Sequence, residues 1–422
     1  MTVSILAIAA FCLTALTLPL LVRVAFAVGW IDLPTSRKNH EGAVPLAGGV
    51  TIFLAVALTL FVTGTEWPAG TRGLACGLAL VFLTGLWDDR FPLQARYRLF
   101  AQLAASIAVV AFGDTVLRSL GRTFTPFEIG LWWFAYPMTV VALTGLVNAF
   151  NMADGLDGLC SGYVMIALAS LLACGGLLAY RVPGHPAPLT LIPVAVPFLG
   201  AIAAFLLFNM RHPWRARASV FLGDAGSMAL GFLVGWLCLR LAGVYGAASL
   251  PPVVPVYIVA LPLFDMFSCM IRRHSEGITP MTADRKHLHH LLMTKGLDVR
   301  QAVALLHLIA ALVAALGILG WIVGVPEYLM FWTLIAAFVL YTRAMLRYWR
   351  AYDARLASKH DPIAVPPVPV REAEHPTPTA SGAIAKTGAH ASVGGQLMMR
   401  SGAVDGSAQK SAMEAGVSSQ RR

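Results

Sequence analysis

The sequence predicts an all-α polytopic membrane protein with eleven transmembrane helices, and three observations support this fold class. Of the 422 residues, 58% are hydrophobic and only 12% are charged, about half the charged share of a soluble domain. The mean hydropathy is +0.71. The apolar residues form runs of roughly 20, long enough to cross the bilayer as helices, without the two-residue alternation of barrel strands. These features exclude a soluble, disordered or fibrous protein.

Eleven apolar runs meet the length criterion for a span. Lipid cannot satisfy free backbone polar groups, so each run is expected to be helical. The predicted spans are Ile5–Val28, Pro45–Val62, Thr71–Leu86, Leu99–Val116, Gly130–Val147, Leu156–Leu178, Leu189–Phe208, Val220–Leu239, Pro252–Met270, Val303–Val323 and Tyr328–Leu346. Ala25-Phe26-Ala27 resembles a signal-peptidase site, but no basic residue precedes the run. This favours a retained first helix over a cleaved signal peptide.

Basic residues predict the orientation of these spans. With a periplasmic N-terminus, fourteen Lys and Arg residues lie in inner loops and five in outer loops, as the positive-inside rule requires. The inner set is Arg37, Lys38, Arg90, Arg96, Arg98, Arg211, Arg215, Arg217, Arg272, Arg273, Arg285, Lys286, Lys295 and Arg300, and the outer set is Arg72, Arg118, Arg122, Arg181 and Arg240. An odd number of spans puts the C-terminus in the cytoplasm. We therefore expect a multi-pass membrane protein with its C-terminus in the cytoplasm.

The composition divides the chain into two parts. Residues 1–350 contain the spans and the polar motifs described below. Residues 351–422 form a cytoplasmic tail that is rich in Pro, Ala, Gly and Ser, as in PIAVPPVPV. This tail has too few large apolar residues to build a core, so we expect it to be disordered.

Four polar groups border the spans, all on the side predicted to be cytoplasmic. They are Asp88 and Asp89 in LWDDR; Asn148, Asn151, Asp154 and Asp157 in NAFNMADGLDGL; Asp224 in FLGDAGS; and His287, His289 and His290 in DRKHLHHLL. Arg37 and Lys38 lie in a first loop on the same side. Each group alone has an ordinary explanation as a solvated helix end, a turn or a helix cap. Their convergence on one membrane face favours a functional site.

The residue types in these groups suit phosphoryl transfer at the membrane surface. Adjacent carboxylates repel each other, and a divalent cation relieves that repulsion. Mg²⁺ prefers carboxylate, water and phosphate oxygens as ligands, while Arg and Lys neutralise further phosphate charge. Zinc hydrolysis fits less well because HLHH lacks the HExxH arrangement, and without a Walker loop an ATP-driven pump is disfavoured. No nucleic-acid-binding motif is present.

In their order and spacing, LWDDR, NAFNMADGLDGL, FLGDAGS and DRKHLHHLL resemble the polyprenyl-phosphate N-acetylhexosamine-1-phosphate transferase family, from about Pro34 to Leu292. The resemblance implies a catalytic membrane domain over residues 1–350. It implies that a polyprenyl phosphate attacks the β-phosphorus of a UDP-N-acetylhexosamine and that UMP leaves. The HLHH pattern preceded by ADRK is similar to the WecA-type branch, which implies UDP-GlcNAc as donor and undecaprenyl phosphate as acceptor. Initiation of O-antigen or another envelope polysaccharide is the expected role.

The resemblance also implies a role for each site residue. Asp224 and Asp154 are expected to bind Mg²⁺, with Mn²⁺ as a substitute. Asp88 is expected to act as general base or to orient the lipid phosphate, and Asp89 to act beside it in catalysis or to support the metal. Substrate contacts are expected from Arg37, Lys38, Asn148, Asn151, Asp157, Arg272, Arg273, His287, His289 and His290. The acceptor lipid requires an apolar groove near the Asp-Asp pair. Asp265 is expected to pair with Arg272 or Arg273.

Other functions and partners stay open from the sequence. Another UDP-N-acetylhexosamine, or UDP-MurNAc-pentapeptide, would use the same chemistry. An ion-coupled transporter is the main alternative from another class, because intramembrane acids serve proton relays. The position of the acids at one face, without a visible internal repeat, favours the enzyme. The complete set of Asp, Asn and His residues argues against a catalytically inactive scaffold. Abundant small residues are compatible with a homodimer.

Overall fold

The computed structural model describes residues 3–33, 42–66, 68, 71–112, 115–243, 249–279, 282 and 284–359. Within them the chain forms thirteen α-helices and one short β ladder. The helices are α1 Val3–Ala27, α2 Gly48–Thr63, α3 Arg72–Arg90, α4 Ala95–Phe112, α5 Ala135–Ala153, α6 Leu159–Arg181, α7 Ala187–Asn209, α8 Gly223–Gly243, α9 Val253–Ile258, α10 Ala260–Ser275, α11 Leu288–Thr294, α12 Val299–Ile322 and α13 Glu327–Lys359. The strands are β1 Ile31–Asp32 and β2 Val44–Pro45.

Each of the eleven predicted spans coincides with helical structure. The first eight correspond to α1–α8, and the last two to α12 and α13. Eight helices in the described part of the chain are long and apolar enough to cross a membrane, namely α1, α4–α8, α12 and α13. The helix α2 is apolar but shorter, and α3 has charged residues at both ends. A polytopic helical membrane protein is therefore confirmed, whereas the count of eleven spans and the orientation stay predictions.

The ninth predicted span is two helices rather than one. The break between α9 and α10 lies at Val259, which has φ −108° and ψ 16°. Pro262 follows three residues later in α10. Because proline has no backbone N–H, it cannot donate the helical bond to the carbonyl four residues earlier, and this weakens a continuous helix here.

The helix α8 lies in the centre of the bundle. It packs against α2, α3, α5 and α6, and nearly all of its side chains are buried, including Trp236. A helix that is apolar on every face is stable when other helices surround it. Its first turn carries Asp224. The central position of α8 therefore places this carboxylate among the ends of several neighbouring helices.

A backbone ladder ties the first polar loop to the start of α8. The antiparallel strands β1 and β2 pair Ile31 with Pro45. Pro45 in turn accepts a hydrogen bond from the Phe221 N–H at 2.9 Å, and Gly49 donates to the Leu222 carbonyl at 2.8 Å. The ladder closes the base of the segment 34–41, which contains Arg37 and Lys38 and lies outside the described residues. The base of this loop thus lies next to the first turn of α8.

The boundary of the C-terminal tail differs from the predicted one. The chain divides into two units, Met1–Asp361 and Pro362–Arg422, and all described residues belong to the first. The helix α13 continues to Lys359, so residues 351–359 are helical instead of part of a disordered tail. Trp349, which precedes this segment in α13, is buried, whereas most of residues 351–356 are exposed. The remaining predicted tail, residues 360–422, lies outside the described residues.

Candidate active site

Asp88 lies near the C-terminus of α3, and both of its carboxylate oxygens accept hydrogen bonds. The Leu93 N–H donates to Oδ1 at 2.6 Å, and the Arg98 guanidinium donates to Oδ2 at 2.9 Å. Asp88 is only 7% exposed. The guanidinium of Arg98, rather than bulk water, therefore neutralises this carboxylate. In this geometry Asp88 orients Arg98.

The carboxylate of Asp89 caps the N-terminus of α8. Its Oδ1 accepts from the Asp224 N–H at 2.7 Å, and its Oδ2 accepts from the Ala225 N–H at 3.1 Å. Gly223 makes this approach possible, since it has φ +77° and a Cβ there would lie 2.6 Å from Asp89 Oδ2. The first N–H groups of a helix have no partner within the helix. Asp89 therefore joins the end of α3 to the start of α8.

Asn151 holds the carboxylate of Asp224 from the end of α5. Its amide donates to Asp224 Oδ1 at 2.7 Å and to Ser227 Oγ at 2.9 Å. The other oxygen, Asp224 Oδ2, is 3.8 Å from the Arg98 guanidinium. Asn151 and Asp224, predicted as site residues from separate motifs, are thus in direct contact.

Arg98 is a site residue that the sequence analysis treated only as a topology signal. It lies in the first turn of α4, and its guanidinium is close to both Asp88 and Asp224. The neighbouring Arg96 instead lies over the ring of Tyr97. Nothing in the sequence separates these two arginines, because the difference depends on which helix face meets α3 and α8.

Asn148 lies one turn before Asn151 and contacts α4. Its amide donates to Gln102 Oε1 at 2.6 Å and to the Thr144 carbonyl at 2.8 Å. Gln102 is buried, so this bond links α4 and α5 inside the bundle. The amide hydrogens of Asn148 are thus used between helices, and its predicted contact with substrate stays a prediction.

The loop between α5 and α6 presents Asp154 and anchors Asp157. Asp157 Oδ2 accepts from Arg211 Nε at 2.6 Å. Asn209 accepts from the Gly158 N–H at 2.7 Å and donates to the Val220 carbonyl at 2.8 Å. Asn209, which the sequence analysis did not select, therefore ties this loop to the segment that leads into α8.

The remaining carboxylate oxygens suit a divalent cation. Asp154 is exposed, and within the described part of the chain its side chain forms no hydrogen bond or ion pair, although its backbone N–H donates to the Asn151 carbonyl. Although water reaches it, desolvation by the surrounding protein, followed by the negative charges of Asp224 and Asp157, raises the pKa of Asp154. A cation among these oxygens would relieve that repulsion, and oxygen ligands are those that Mg²⁺ prefers. Asp154 and Asp224 therefore fit the predicted metal.

The histidine segment is organised by Asp265, and this corrects one prediction. Asp265 was expected to pair with Arg272 or Arg273, but its Oδ2 is 2.8 Å from His287 Nδ1. The two arginines instead bind Asp284, and Arg272 also binds Glu276 at 2.9 Å. Both guanidinium groups are buried in these ion pairs, where they hold the segment before His287 against α10. Their predicted contact with substrate stays a prediction.

His289 brings the histidine segment to the loop that carries Asp154. Its ring lies directly against Gly155, where a Cβ would be 2.3 Å from His289 Nε2. Among the described residues, His289 Nε2 and His290 Nδ1 are buried without a hydrogen-bond partner. Burial, followed by nearby imidazole charge, lowers the pKa of His289 to about 3 and that of His290 to about 4. Both rings are therefore neutral near pH 7.

An apolar groove of about 570 Å³ lies between the ends of α1 and α3. Its lining residues are Val28, Trp30, Leu83, Leu86, Trp87, Arg90 and Phe91. Trp87 is 59% exposed on this face, and it precedes the Asp88–Asp89 pair. Arg90 donates to the Gly29 carbonyl at 3.3 Å across the groove. The structure thus contains an apolar groove close to the acidic pair, as the sequence analysis expected.

The four predicted polar groups meet at one end of the bundle. Asp89 accepts a hydrogen bond from the backbone N–H of Asp224, Asn151 donates to the Asp224 carboxylate, and His289 contacts Gly155. Their predicted co-location is therefore confirmed for the described residues. The predicted roles of the individual side chains stay predictions, as do those of Arg37 and Lys38.

Comparison with known proteins gives a consistent result. The family model described as "Glycosyl transferase family 4" matches residues 71–242, which include the acidic and amide groups. An undecaprenyl-phosphate alpha-N-acetylglucosaminyl 1-phosphate transferase of Yersinia pestis is 37% identical over 329 residues, which are 78% of this chain and 87% of the relative. The protein of the same name from Escherichia coli K12 is 36% identical over 83% of this chain and 93% of its own length. A Bacillus subtilis relative, a probable undecaprenyl-phosphate N-acetylglucosaminyl 1-phosphate transferase, is 32% identical over 72% of this chain and 81% of its own length.

Proposed function

The chain belongs to glycosyl transferase family 4, and we propose that it transfers N-acetylglucosamine 1-phosphate from UDP-GlcNAc to undecaprenyl phosphate, with UMP as the second product. The names of its relatives in three bacterial genera support this substrate pair. The resulting undecaprenyl-diphospho-GlcNAc would initiate O-antigen or another envelope polysaccharide. The polytopic membrane fold is consistent with a lipid acceptor.

The observation that carries the proposal is the network around Arg98. One guanidinium lies between the carboxylates of Asp88 and Asp224, and Asn151 holds the second of these from the opposite side. Two phosphate-bearing substrates repel each other, so their reaction needs positive charge and fixed positions. The network supplies a cation that an ion pair with Asp88 orients, next to carboxylate oxygens that suit a metal.

The transfer requires little proton chemistry from the protein. A phosphate oxygen of the lipid attacks the β-phosphorus of UDP-GlcNAc, the bond from that phosphorus to the bridging oxygen breaks, and UMP leaves with that oxygen. A phosphate monoester has a second pKa near 6 and is therefore largely ionised at pH 7. Asp88, which is already paired with Arg98, thus acts by orienting this cation rather than as a general base.

Asp224 and Asp154 would hold Mg²⁺, with Mn²⁺ as a substitute. The bound cation would neutralise phosphate charge during the transfer. His289 and His290, beside the Asp154 loop, are placed to donate hydrogen bonds to the donor diphosphate. Arg37 and Lys38 are proposed phosphate contacts because the base of their loop lies next to Asp224.

The proposed location of the site rests on the predicted orientation of the spans. We assign the end of the bundle that carries the site to the cytoplasmic face of the bacterial inner membrane, because most basic residues of the connecting loops are predicted at that end. A cytoplasmic site meets both the soluble nucleotide sugar and the lipid phosphate of the inner leaflet.

The groove between α1 and α3 is the proposed path for the acceptor chain. Its apolar walls end beside Arg90 and the acidic pair, so a lipid in it would have its phosphate near the site. We expect Trp87→Ala to raise KM for undecaprenyl phosphate about tenfold, since a large aromatic wall is lost, while KM for UDP-GlcNAc changes little. Trp133→Ala, which removes an exposed tryptophan far along the chain from this groove, is the matched control. Equal KM values for the lipid in both variants would remove the groove from the acceptor path.

The decisive experiment measures UMP release by purified protein in detergent. UDP-GlcNAc, undecaprenyl phosphate and Mg²⁺ are supplied together, and each is omitted in turn. We expect UMP only when the lipid is present, with loss of release on adding EDTA and recovery with excess Mg²⁺. Release only from another UDP-N-acetylhexosamine, or from UDP-MurNAc-pentapeptide, would keep the reaction and correct the donor. Folded protein that releases no UMP from any donor would favour a transporter.

A further inference from the structure

Asp265 lies where three elements meet, and three donors converge on its carboxylate. His287 Nδ1 is 2.8 Å from Oδ2, the Leu288 N–H donates to Oδ1 at 2.9 Å, and the Tyr341 hydroxyl donates to Oδ1 at 3.1 Å. These donors come from the histidine segment, the first turn of α11 and the helix α13. Asp265 and His287 are 8% and 6% exposed. A carboxylate so buried is stable only with its donors in place.

The pair with Asp265 gives His287 a charge that its neighbours lack. Burial alone would lower the pKa of His287, but the carboxylate of Asp265 outweighs this and raises it to about 10. His287 is therefore a buried imidazolium near pH 7, and its Nδ1 proton is donated to Asp265. Removal of the Asp265 charge would leave this imidazolium without its counter-ion.

Contacts continue from His287 to the acidic site. The rings of His287 and His289 are stacked, with centroids 5.4 Å apart and an angle of 9° between planes. The ring of His289 lies against Gly155, which follows Asp154 directly. The position of His289 relative to Asp154 therefore depends on where His287 is held.

We propose that Asp265 is a positioning residue, which acts through His287 to hold His289 and His290 beside the Asp154 loop, where they bind the diphosphate of the donor nucleotide sugar. This inference rests on the proposed function and deepens it. Asp265 is not a catalytic residue in this account, because it touches the histidine segment and not the reacting groups.

A second arrangement of the same atoms has to be distinguished. Asp265, Cys269 and His287 each offer a ligand atom, and these atoms lie within 4.8 Å of one another, as in a metal site. The Cys269 thiol is 3.4 Å from His287 Nδ1. A positioning role needs only the carboxylate and the imidazolium, whereas a metal site would also need the thiolate.

The test is a double-mutant cycle with Asp265→Asn and His287→Gln. The Asn variant keeps one acceptor oxygen and the side-chain size but loses the charge. We expect each single variant to raise KM for UDP-GlcNAc by about tenfold to a hundredfold. Loss of a residue that orients a substrate-binding side chain typically has an effect of this size. KM for undecaprenyl phosphate is expected to change by less than about threefold, since the residues that line the lipid groove do not include the histidine segment.

The double variant shows whether Asp265 acts on UDP-GlcNAc binding through His287. If Asp265 acts through His287, the double variant has the same KM for UDP-GlcNAc as His287→Gln alone. Independent, multiplicative effects of the two substitutions would overturn the proposal, as would an unchanged KM in Asp265→Asn. Tyr341→Phe, which removes one donor but leaves the ion pair, is expected to have a smaller effect and serves if Asp265→Asn does not fold.

A readout without turnover keeps this inference separate from the proposed function. Diethyl pyrocarbonate modifies accessible neutral imidazoles, and the modified residues are identified by mass spectrometry. We expect His287 to be protected in the wild type and modified several-fold faster in Asp265→Asn, whatever the donor sugar is. Equal modification rates would overturn the inference even if UMP release is confirmed. Failure of UMP release with altered modification would overturn only the proposed function.

Cys269→Ala distinguishes the metal arrangement. We expect this variant to keep the wild-type KM for UDP-GlcNAc within about twofold and the purified wild type to contain no stoichiometric zinc. One equivalent of zinc that is lost on Cys269→Ala, together with lost activity, would overturn the positioning role in favour of a metal site.

Discussion

At the scale of single residues, the site depends on one guanidinium between two carboxylates. Arg98 is 2.9 Å from Asp88 and 3.8 Å from Asp224. We expect Arg98→Ala to lower kcat for UMP release by about a hundredfold or more, because one preorganised donor to a reacting anion contributes this much. Arg96→Ala, two residues away on another face of α4, should stay close to wild type. Similar losses in both variants would mean that only the general positive charge of this loop matters.

Asp224 is the carboxylate on which the metal assignment depends. Asp224→Asn keeps the size of the side chain and can still contact Asn151, so the protein should insert and fold as the wild type does. Loss of the negative charge should abolish turnover, because the proposed Mg²⁺ loses a charged ligand. The matched control is Glu66→Gln, at an exposed carboxylate outside the site. Full activity of Asp224→Asn, at saturating or limiting Mg²⁺, would remove the metal assignment.

Asp88 and Asp89 show how much adjacent residues can differ. Successive side chains on a helix point about 100° apart, from 3.6 residues per turn. Asp88 therefore meets Arg98 of α4, whereas Asp89 meets the backbone of α8. Asp89 was predicted either to act beside Asp88 in catalysis or to support the metal, and the structure gives the two carboxylates different partners. Of these two adjacent residues, Asp88 is the one that forms an ion pair with Arg98.

At the scale of elements, the junction between α3 and α8 is held by a cap from outside α8. Asp89→Ala would leave the N–H groups of Asp224 and Ala225 without their acceptor. We expect it to lower the free energy of unfolding by about 1–2 kcal/mol, the usual cost of a lost cap, and to reduce UMP release as well. The measurement is thermal or denaturant unfolding in detergent beside the activity assay.

A cap elsewhere in the chain provides the control for Asp89. Asp298 caps α12 through its bond to the Gln301 N–H at 2.9 Å. Asp298→Ala should cost similar stability but keep the activity of the remaining folded protein, because α12 does not carry the acids. Equal loss of activity in both variants would show that Asp89 contributes general stability alone.

The position of the histidine segment also depends on contacts between helices. The short helix α11 starts after His287, and the N–H of its first residue, Leu288, donates a hydrogen bond to Asp265 of α10. The helix α13 reaches the same segment through Lys286 and Asp353, whose charged groups are 2.6 Å apart. The position of the histidines therefore depends on two helices that are distant from them in sequence.

At the scale of the whole molecule, all site residues that the structure describes lie within residues 3–359. Deletion of residues 362–422 is therefore expected to keep UMP release within about twofold of the full chain. A longer deletion that starts at Ala351 also removes the last turns of α13 and Asp353, and we expect a larger loss. Activity is compared per amount of monodisperse protein in detergent. A large loss on the shorter deletion alone would give residues 362–422 a role in the reaction.

The sequence by itself determined the helical membrane fold and the set of polar groups that form the site. Apolar length is a local property, so each predicted span coincides with helical structure. Spans that alternate in direction return to the same side of the membrane, and this explains why four separate motifs were correctly expected at one end. The ninth span was predicted as one helix although Pro262 lies beside the break between α9 and α10, and residues 351–359 were predicted as disordered although they are helical.

Only the tertiary structure decided which polar groups are partners. Asp89 and Asp224 are 135 residues apart, and Asn151 and Asp224 are 73 apart. Arg98 could not be distinguished from Arg96, nor could the partner of Asp265 be identified, by any local pattern. Composition and periodicity indicate which segments are apolar enough to lie in lipid and which are exposed to water. Hydrogen bonds and ion pairs depend on helix rotation and on the packing around α8, and these arise only when the helices are assembled.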